Sequence, residues 1–213
     1  CPTCDVQARL VIGLRKRIPA GAGLGGGSSD AAAVLRGLNH LLALGLSHEV
    51  LSQLGVGLGA DVPFFLSSCP ARIAGIGELV TAVAPLPARQ IVLVVPPFSV
   101  STPWAYRRFD ELSAIDTPVA PVWEFVPGQW PPREALVNDL EPAVCLAHPQ
   151  IAGLKEALLR LGADGALMSG SGSSVFGLFA DPADAGQAAA AMQAYGRVFV
   201  SESVAGPLPL EAG

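Results

Sequence analysis

The stretch Pro19–Leu35, PAGAGLGGGSSDAAAVL, sets five glycines within seven residues (Gly21, Gly23, Gly25, Gly26 and Gly27) ahead of an alanine- and leucine-rich run. Glycine loses more backbone freedom on folding than any other residue. Such a concentration needs a reason that outweighs this cost. A tight strand-to-helix turn needs only one or two glycines. Five leave a wide concavity free of side chains, with backbone N–H groups facing inward at a helix N-terminus, where the dipole favours anions. Ser28 and Ser29 add hydroxyl donors, or metal-facing oxygens, at the same terminus. The stretch reads as a phosphate cradle rather than a plain turn.

Two familiar phosphate loops can be tested against it. Gly21-Ala22-Gly23-Leu24-Gly25-Gly26 fits the GxGxxG pattern of dinucleotide-binding folds. That pattern should directly follow a buried parallel strand and precede an acidic strand end about 20 residues on. Here Arg15-Lys16-Arg17 and Pro19 intervene, and the residues about 20 positions on fall in a helical pattern. The Walker A pattern fails because no Gly-Lys-Ser/Thr closes the loop.

Working outward, Val6–Arg15 alternates apolar and polar residues with the period of a strand. From Ser29, Ala32, Leu35, Leu38, Leu41 and Leu42 mark one face of a helix that Gly45 closes. Ser47 is placed to cap a second helix through Leu54. GVGLGADVPFFL (Gly55–Leu66) reads as a glycine-punctuated loop containing Asp61. Short strands at Ala71–Ala74 and Leu79–Val83 flank a turn at Gly75–Glu78, and Pro85 and Pro87 mark a boundary. Beyond it, Ile91–Val95 is a buried strand, and Thr102-Pro103 caps and opens a helix toward Leu112. Ile115–Pro132 is a proline-rich irregular excursion with Trp123 and Trp130. A helix (Ile151–Leu161), a strand (Gly165–Met168), a turn (Ser169–Ser173), a strand (Val175–Phe179), a helix from Asp181-Pro182 and a strand (Arg197–Val204) complete the chain. This order predicts an α+β sandwich, with helices on one side of an antiparallel sheet.

Bulk properties narrow the function. The 213 residues are 51% hydrophobic, enough for a substantial core. A net charge of −5 with 13 basic residues argues against a nucleic-acid surface. No apolar run reaches the roughly 18 residues of a membrane span, and no secretory pattern opens the chain, so a cytoplasmic protein with no membrane partner is expected. Cys1-Pro-Thr-Cys4 is a CxxC, but Cys69 and Cys145 stand alone, so the thiols read as reduced and unspecialised. His40, His48 and His148 have no metal-ligand spacing and read as surface or helix-end residues, and no protein-held metal is expected. Asp61 by spacing alone reads as a turn aspartate.

Pro19–Leu35 resembles the phosphate-binding motif of the GHMP kinases. Within that family it is similar to the branch acting on a cytidine-diphosphate-linked methylerythritol of non-mevalonate isoprenoid synthesis. LGADVPFFL (Leu58–Leu66) resembles the family's catalytic-aspartate segment, VSTPWAY (Val100–Tyr106) a segment whose aromatic stacks on cytosine, and MSGSGSSVFG (Met168–Gly177) its last glycine motif. The resemblance implies a two-domain α+β fold, with a partial N-terminal domain (1–86) carrying the ATP loop and the catalytic aspartate. Residues 87–213 would form a ferredoxin-like C-terminal sandwich. It implies that Pro19, Ala20, Gly21, Ala22, Gly23, Leu24, Gly25, Gly26, Gly27, Ser28 and Ser29 hold the ATP phosphates. Mg2+ would arrive with ATP, Ser29 being its expected protein neighbour. Asp61 would be the general base for a hydroxyl of 4-diphosphocytidyl-2-C-methyl-D-erythritol. Tyr106 would stack on the cytosine, and Ser169, Gly170, Ser171 and Gly172 would close over the transferring phosphate. Asn138 and Asp139, in LVNDLEP, resemble a family stretch without indicating a role. The alternatives are another GHMP small-molecule kinase, a non-catalytic ATP-binding fragment and an NAD-binding domain.

The chain departs from the family in one respect. Family members open on a strand with Pro-Ala-Lys and a nearby Asn, whose lysine pairs with the catalytic aspartate, and no such motif occurs here. Lys16 is no substitute, since it lies on the strand leading into the loop. The chain begins at Cys1, and its only methionines are Met168 and Met192, so it is expected to be trimmed at its N-terminus. The strand before the loop is then expected to expose apolar surface and an unpaired edge. Loss of one charge-stabilising group commonly costs about 2.7–4 kcal/mol. The 213-residue chain is therefore expected to turn over slowly or not at all, and turnover at the rate of a complete kinase would refute this.

Overall fold

The computed structural model describes residues 9–67, 70–113 and 126–204. Cys1, Cys4, Cys69, Trp123 and the first residues of the expected opening strand lie outside these. Two compact units form, one from the described residues within 9–19 and 26–82, the other from those within 20–25 and 83–204. Division of the sequence at 86/87 keeps all of the glycine loop in the first domain, whereas residues 20–25 belong to the second unit.

In the first unit, α1 (Gly26–Leu41), α2 (His48–Val56) and α3 (Val62–Leu66) precede a hairpin of β1 (Ala71–Ala74) and β2 (Leu79–Ala82). The helices meet around buried Ala32, Leu51, Val62 and Leu66. Gly55 permits close approach of α2 and α3, since a Cβ there would lie 3.0 Å from Val62 Cγ1. Asn39 clasps the α1–α2 connection, donating to the Leu46 carbonyl at 3.1 Å and accepting from its N–H at 2.9 Å. The Ser47 hydroxyl caps α2 by accepting from Val50 N–H at 3.4 Å.

Three expectations need correction in this unit. Residues 9–15 form no strand, and Leu10, Val11, Ile12 and Leu14 are exposed, Val11 to 96%. Alternation favours a strand only where a neighbour supplies the ladder hydrogen bonds. Among the described residues none pairs with this segment. Helix α1 starts at Gly26, three residues before Ser29. Gly55–Leu66 is not all loop, because Pro63 sits in the first turn of α3, where its missing N–H needs no partner.

The second unit is built on an antiparallel sheet of β3 (Gln90–Val95), β4 (Gly165–Met168), β5 (Val175–Phe179) and β6 (Arg197–Glu202), in the order β4-β5-β3-β6. Among the described residues, the α-helices that accompany it are α4 (Thr102–Ser113), α5 (Leu140–Ala147), α6 (Gln150–Arg160) and α7 (Pro182–Met192). Helix α6 packs on β4 and β5, and α7 on β3, β5 and β6, giving the ferredoxin-like βαββαβ arrangement expected. Val92 and Val94 of β3 are fully buried against Ile151, Leu158, Ala185 and Ala188 of the helices. Ile91 and Leu93 are half-buried, so the strand has one core face rather than the continuous burial its IVLVV run implies. Asp181 caps α7, its carboxylate accepting from Ala183 and Asp184 N–H groups at 2.6 and 3.3 Å. Trp130 pins the returning excursion by donating from Nε1 to the Pro87 carbonyl at 2.8 Å. Helix α5 is hidden in the sequence by Pro142, which sits in its first turn, where proline does no harm.

Candidate active site

The five glycines divide by conformation. Gly21, Gly23 and Gly25 adopt φ of +67°, +74° and +61°, a left-handed region that L side chains rarely enter. Gly26 and Gly27 are already helical and open α1 with Ser28 and Ser29. The N–H groups of Gly21, Gly23, Leu24 and Gly25 have no acceptor among the described residues, while Ala22 closes the turn over Ala20 and Gly21.

Residues 20–25 rest against the turn Ser169–Ser174 between β4 and β5. The Ser169 hydroxyl donates to the Gly23 carbonyl at 2.8 Å, and Ser174 N–H to the Ala22 carbonyl at 3.3 Å. A Cβ on Gly23 would lie 2.0 Å from the Ser169 carbonyl oxygen and 3.0 Å from Gly172 N and O. The two glycine motifs, far apart in the chain, thus form one interlocked pair of loops. Gly170 and Gly172 also have positive φ, +53° and +86°. The amides of Gly170 and Ser171 have no acceptor among the described residues. Successive amides in such a conformation form a concavity for an anion.

The hydroxyls of this turn are largely engaged. Ser169 holds Gly23, Ser171 shares a 2.7 Å hydrogen bond with Thr102, and Ser173 donates to the Phe98 carbonyl. Thr102 therefore begins α4 with its hydroxyl on Ser171 rather than acting as its expected cap. The Ser174 hydroxyl is buried without a partner among the described residues. The groups of the turn without a partner among the described residues thus include the Gly170 and Ser171 amides and the Ser174 hydroxyl, not the hydroxyls of Ser169 and Ser171. Behind it, His148 stacks on Phe98 (centroids 5.0 Å apart) and meets the Trp104 edge at 5.9 Å. His148 ends α5, as a helix-end reading expects. Tyr106, on α4, is 55% exposed beside fully buried Ala105.

In the first unit, the opening turn of α1 contains no acidic residue. Lys16 forms an ion pair with Asp30, just beyond that turn. Asp61 precedes α3 with φ −83° and ψ −12°; its exposed carboxylate makes no capping hydrogen bond. Its turn is closed by Val62 N–H donating to the Gly59 carbonyl at 3.0 Å. A Cβ on Gly59 would lie 3.9 Å from Ser28 Oγ, so the Asp61 turn runs beside the first turn of α1. Gly77 (φ +113°) also comes so close to this turn that a Cβ would lie 2.2 Å from the Ala60 carbonyl oxygen. The backbone around Asp61 is thus held between two glycine contacts while its carboxylate faces solvent.

Asn138 is the residue that sequence reasoning left without a role. Its side-chain amide donates to the Met168 and Gly170 carbonyls, both at 2.8 Å, and accepts from Leu140 N–H at 3.0 Å. Neighbouring Asp139 is exposed and caps nothing. Cys145 is half-buried; burial, and then the Glu141 carboxylate, push its thiol pKa above the ordinary value, which opposes nucleophilic chemistry. No described helix is long and apolar enough to cross a membrane.

These loops have relatives. The model of the GHMP kinases N terminal domain matches residues 4–68, and that of the GHMP kinases C terminal region matches 132–198. A crystal structure of 4-(cytidine 5'-diphospho)-2C-methyl-D-erythritol kinase superposes with a TM-score of 0.70 at 38% identity, covering 88% of this chain and 68% of that one. The chain belongs to the GHMP kinase family. Among curated relatives, 4-diphosphocytidyl-2-C-methyl-D-erythritol kinase of Citrifermentans bemidjiense is 49% identical over 191 residues, 87% of this chain and 66% of the relative. The enzyme of that name from Nitratidesulfovibrio vulgaris is 43% identical over 197 residues, 88% of this chain and 67% of the relative. The chain thus spans about two thirds of the length of the curated GHMP kinases it matches. Both matched family regions carry glycine motifs described above, Gly21–Gly27 in the first and Ser169–Ser174 in the second.

Proposed function

We propose that the chain transfers the γ-phosphoryl group of ATP to a hydroxyl of 4-diphosphocytidyl-2-C-methyl-D-erythritol, in the cytoplasm, and does so slowly because it carries no Pro-Ala-Lys motif to pair with Asp61. The observation that supports this most is the set of amides of Gly21, Gly23, Leu24 and Gly25 that have no acceptor among the described residues, held in place by the Ser169–Gly23 hydrogen bond. Phosphoryl transfer asks a protein chiefly for positioning and charge stabilisation. In the second unit, the amides of Gly21, Gly23, Leu24 and Gly25, with those of Gly170 and Ser171, would supply donors for the phosphate oxygens.

Asp61 takes the proton of the substrate hydroxyl as its oxygen bonds to the γ-phosphorus. The bond from that phosphorus to the bridging oxygen breaks, and its electron pair leaves on ADP. The proton then passes from Asp61 to water. No group of three His, Cys, Asp or Glu side chains is gathered to hold a metal among the described residues. Ser29, at the helix start, would be the protein neighbour of Mg2+ arriving with ATP. When bound, the ion neutralises charge on the phosphate oxygens.

Titration of the purified chain with ATP and with NAD, followed by transfer from γ-labelled ATP to the methylerythritol substrate, tests this reading. Binding of NAD in place of ATP would overturn it. Tyr106→Ala is expected to raise KM for the cytidine substrate, since stacking on a base is worth about 1–3 kcal/mol, or about 5- to 150-fold. ATP affinity should not change. An unaltered KM would remove Tyr106 from the cytosine site.

A further inference from the structure

We infer that Asn138 is a positioning residue that fixes the conformation of the interlocked glycine loops and thereby sets ATP affinity. This rests on the ATP-dependent reading above. Met168 is the last residue of β4, and β4 is an edge strand of its sheet. An edge strand leaves backbone groups without ladder partners. At Met168 both groups are taken by one short segment: its N–H donates to Glu141 Oε2 at 3.0 Å, and its carbonyl accepts from Asn138 Nδ2 at 2.8 Å. Glu141 is itself ion-paired with Lys155, which fixes the lower end of this clamp.

The same Asn138 nitrogen then reaches past the strand end to the Gly170 carbonyl, at 2.8 Å. Between the two clamped carbonyls stands Ser169, whose hydroxyl holds the Gly23 carbonyl. A carbonyl free to turn toward a bound phosphate would repel it. Asn138 ties two such carbonyls, while its own carbonyl is occupied by Leu140 N–H at 3.0 Å. These partners fix the orientation of the amide, since only its NH2 can donate. Through Ser169, the side chain governs where Gly23 and its neighbouring amides sit.

Asn138→Asp keeps an acceptor for Leu140 and turns a carboxylate oxygen on the two carbonyls. The expected result is a rise in Kd for ATP of tenfold or more by calorimetry. Amide hydrogen exchange should quicken tenfold or more in both loops, 21–25 and 169–174. Asn138→Thr, which retains one hydroxyl donor, should fall between the two and serves if the aspartate variant does not fold. Asn39→Asp removes a similar amide-to-carbonyl hydrogen bond, to Leu46, in the other unit. It should lower Tm yet leave ATP affinity within twofold, which separates positioning from general destabilisation. ATP affinity within twofold of the unsubstituted chain in folded Asn138→Asp, or in Asn138→Thr where that variant is needed, overturns the inference. If the unsubstituted chain binds no ATP, the proposed function fails, and the exchange rates alone decide whether Asn138 holds the loops.

Discussion

Asn in place of Asp61 is expected to lower phosphoryl transfer by about 10²–10⁴-fold, the range that a positioned general base contributes. ATP affinity should change less than twofold. The structure explains why these effects should separate. The Asp61 carboxylate is exposed and does not cap α3. The backbone around it is set by the Gly59 and Gly77 contacts, which an isosteric asparagine leaves in place. Stability should accordingly move by no more than about 0.5 kcal/mol, as for most surface substitutions. Single-turnover measurement with γ-labelled ATP, beside a thermal melt, distinguishes the catalytic role from that of a turn aspartate. A lowered Tm with an unchanged rate would assign Asp61 to the turn alone.

Gly23→Ala is expected to be the most damaging single-methyl change in the loops. Its φ of +74° costs an alanine about 1–2 kcal/mol before any contact is considered. The new Cβ would also stand 2.0 Å from the Ser169 carbonyl oxygen, a backbone atom that no rotamer change can move. The loops must part, and the Ser169–Gly23 hydrogen bond must break or lengthen. Kd for ATP should rise at least tenfold, with a lower unfolding midpoint. Gly27→Ala supplies the contrast, because that position is helical and nothing lies within 4 Å of the added methyl. Alanine there should stabilise α1 by about 0.5–1 kcal/mol. If Gly23→Ala melts and binds ATP like the unsubstituted chain, the loops are not interlocked in the way described.

What the sequence disclosed depended on how local the determining interaction is. The Ser47 cap and the Asp181-Pro182 helix start are settled within three residues, and both were legible. The strands β3, β4 and β5 declare themselves by composition, and the order of elements then leads to the antiparallel sheet. Helix α3 spans Val62–Leu66 and is too short to display a period. Residues 9–15 have the period of a strand but no partner among those described. In the site, the glycine cluster announced an unusual backbone, yet not which glycine faces which neighbour. Gly23 is decided by Ser169 and Gly172, and Asn138 by Met168 and Gly170. A lone asparagine in LVNDLEP offers no local pattern that would reveal carbonyls 30 and 32 residues further on.

The hydrogen bond between Ser169 and Gly23 joins positions 146 residues apart. Ribosomes add about 5–20 residues per second, so the first loop emerges roughly 7–30 s before the turn that shapes it. During that interval the nascent chain has the glycines but not the partner that sets their carbonyls. A ligand that needs both loops therefore cannot guide the early stages of folding on the ribosome; it can stabilise only a chain whose β4–β5 hairpin has already been made.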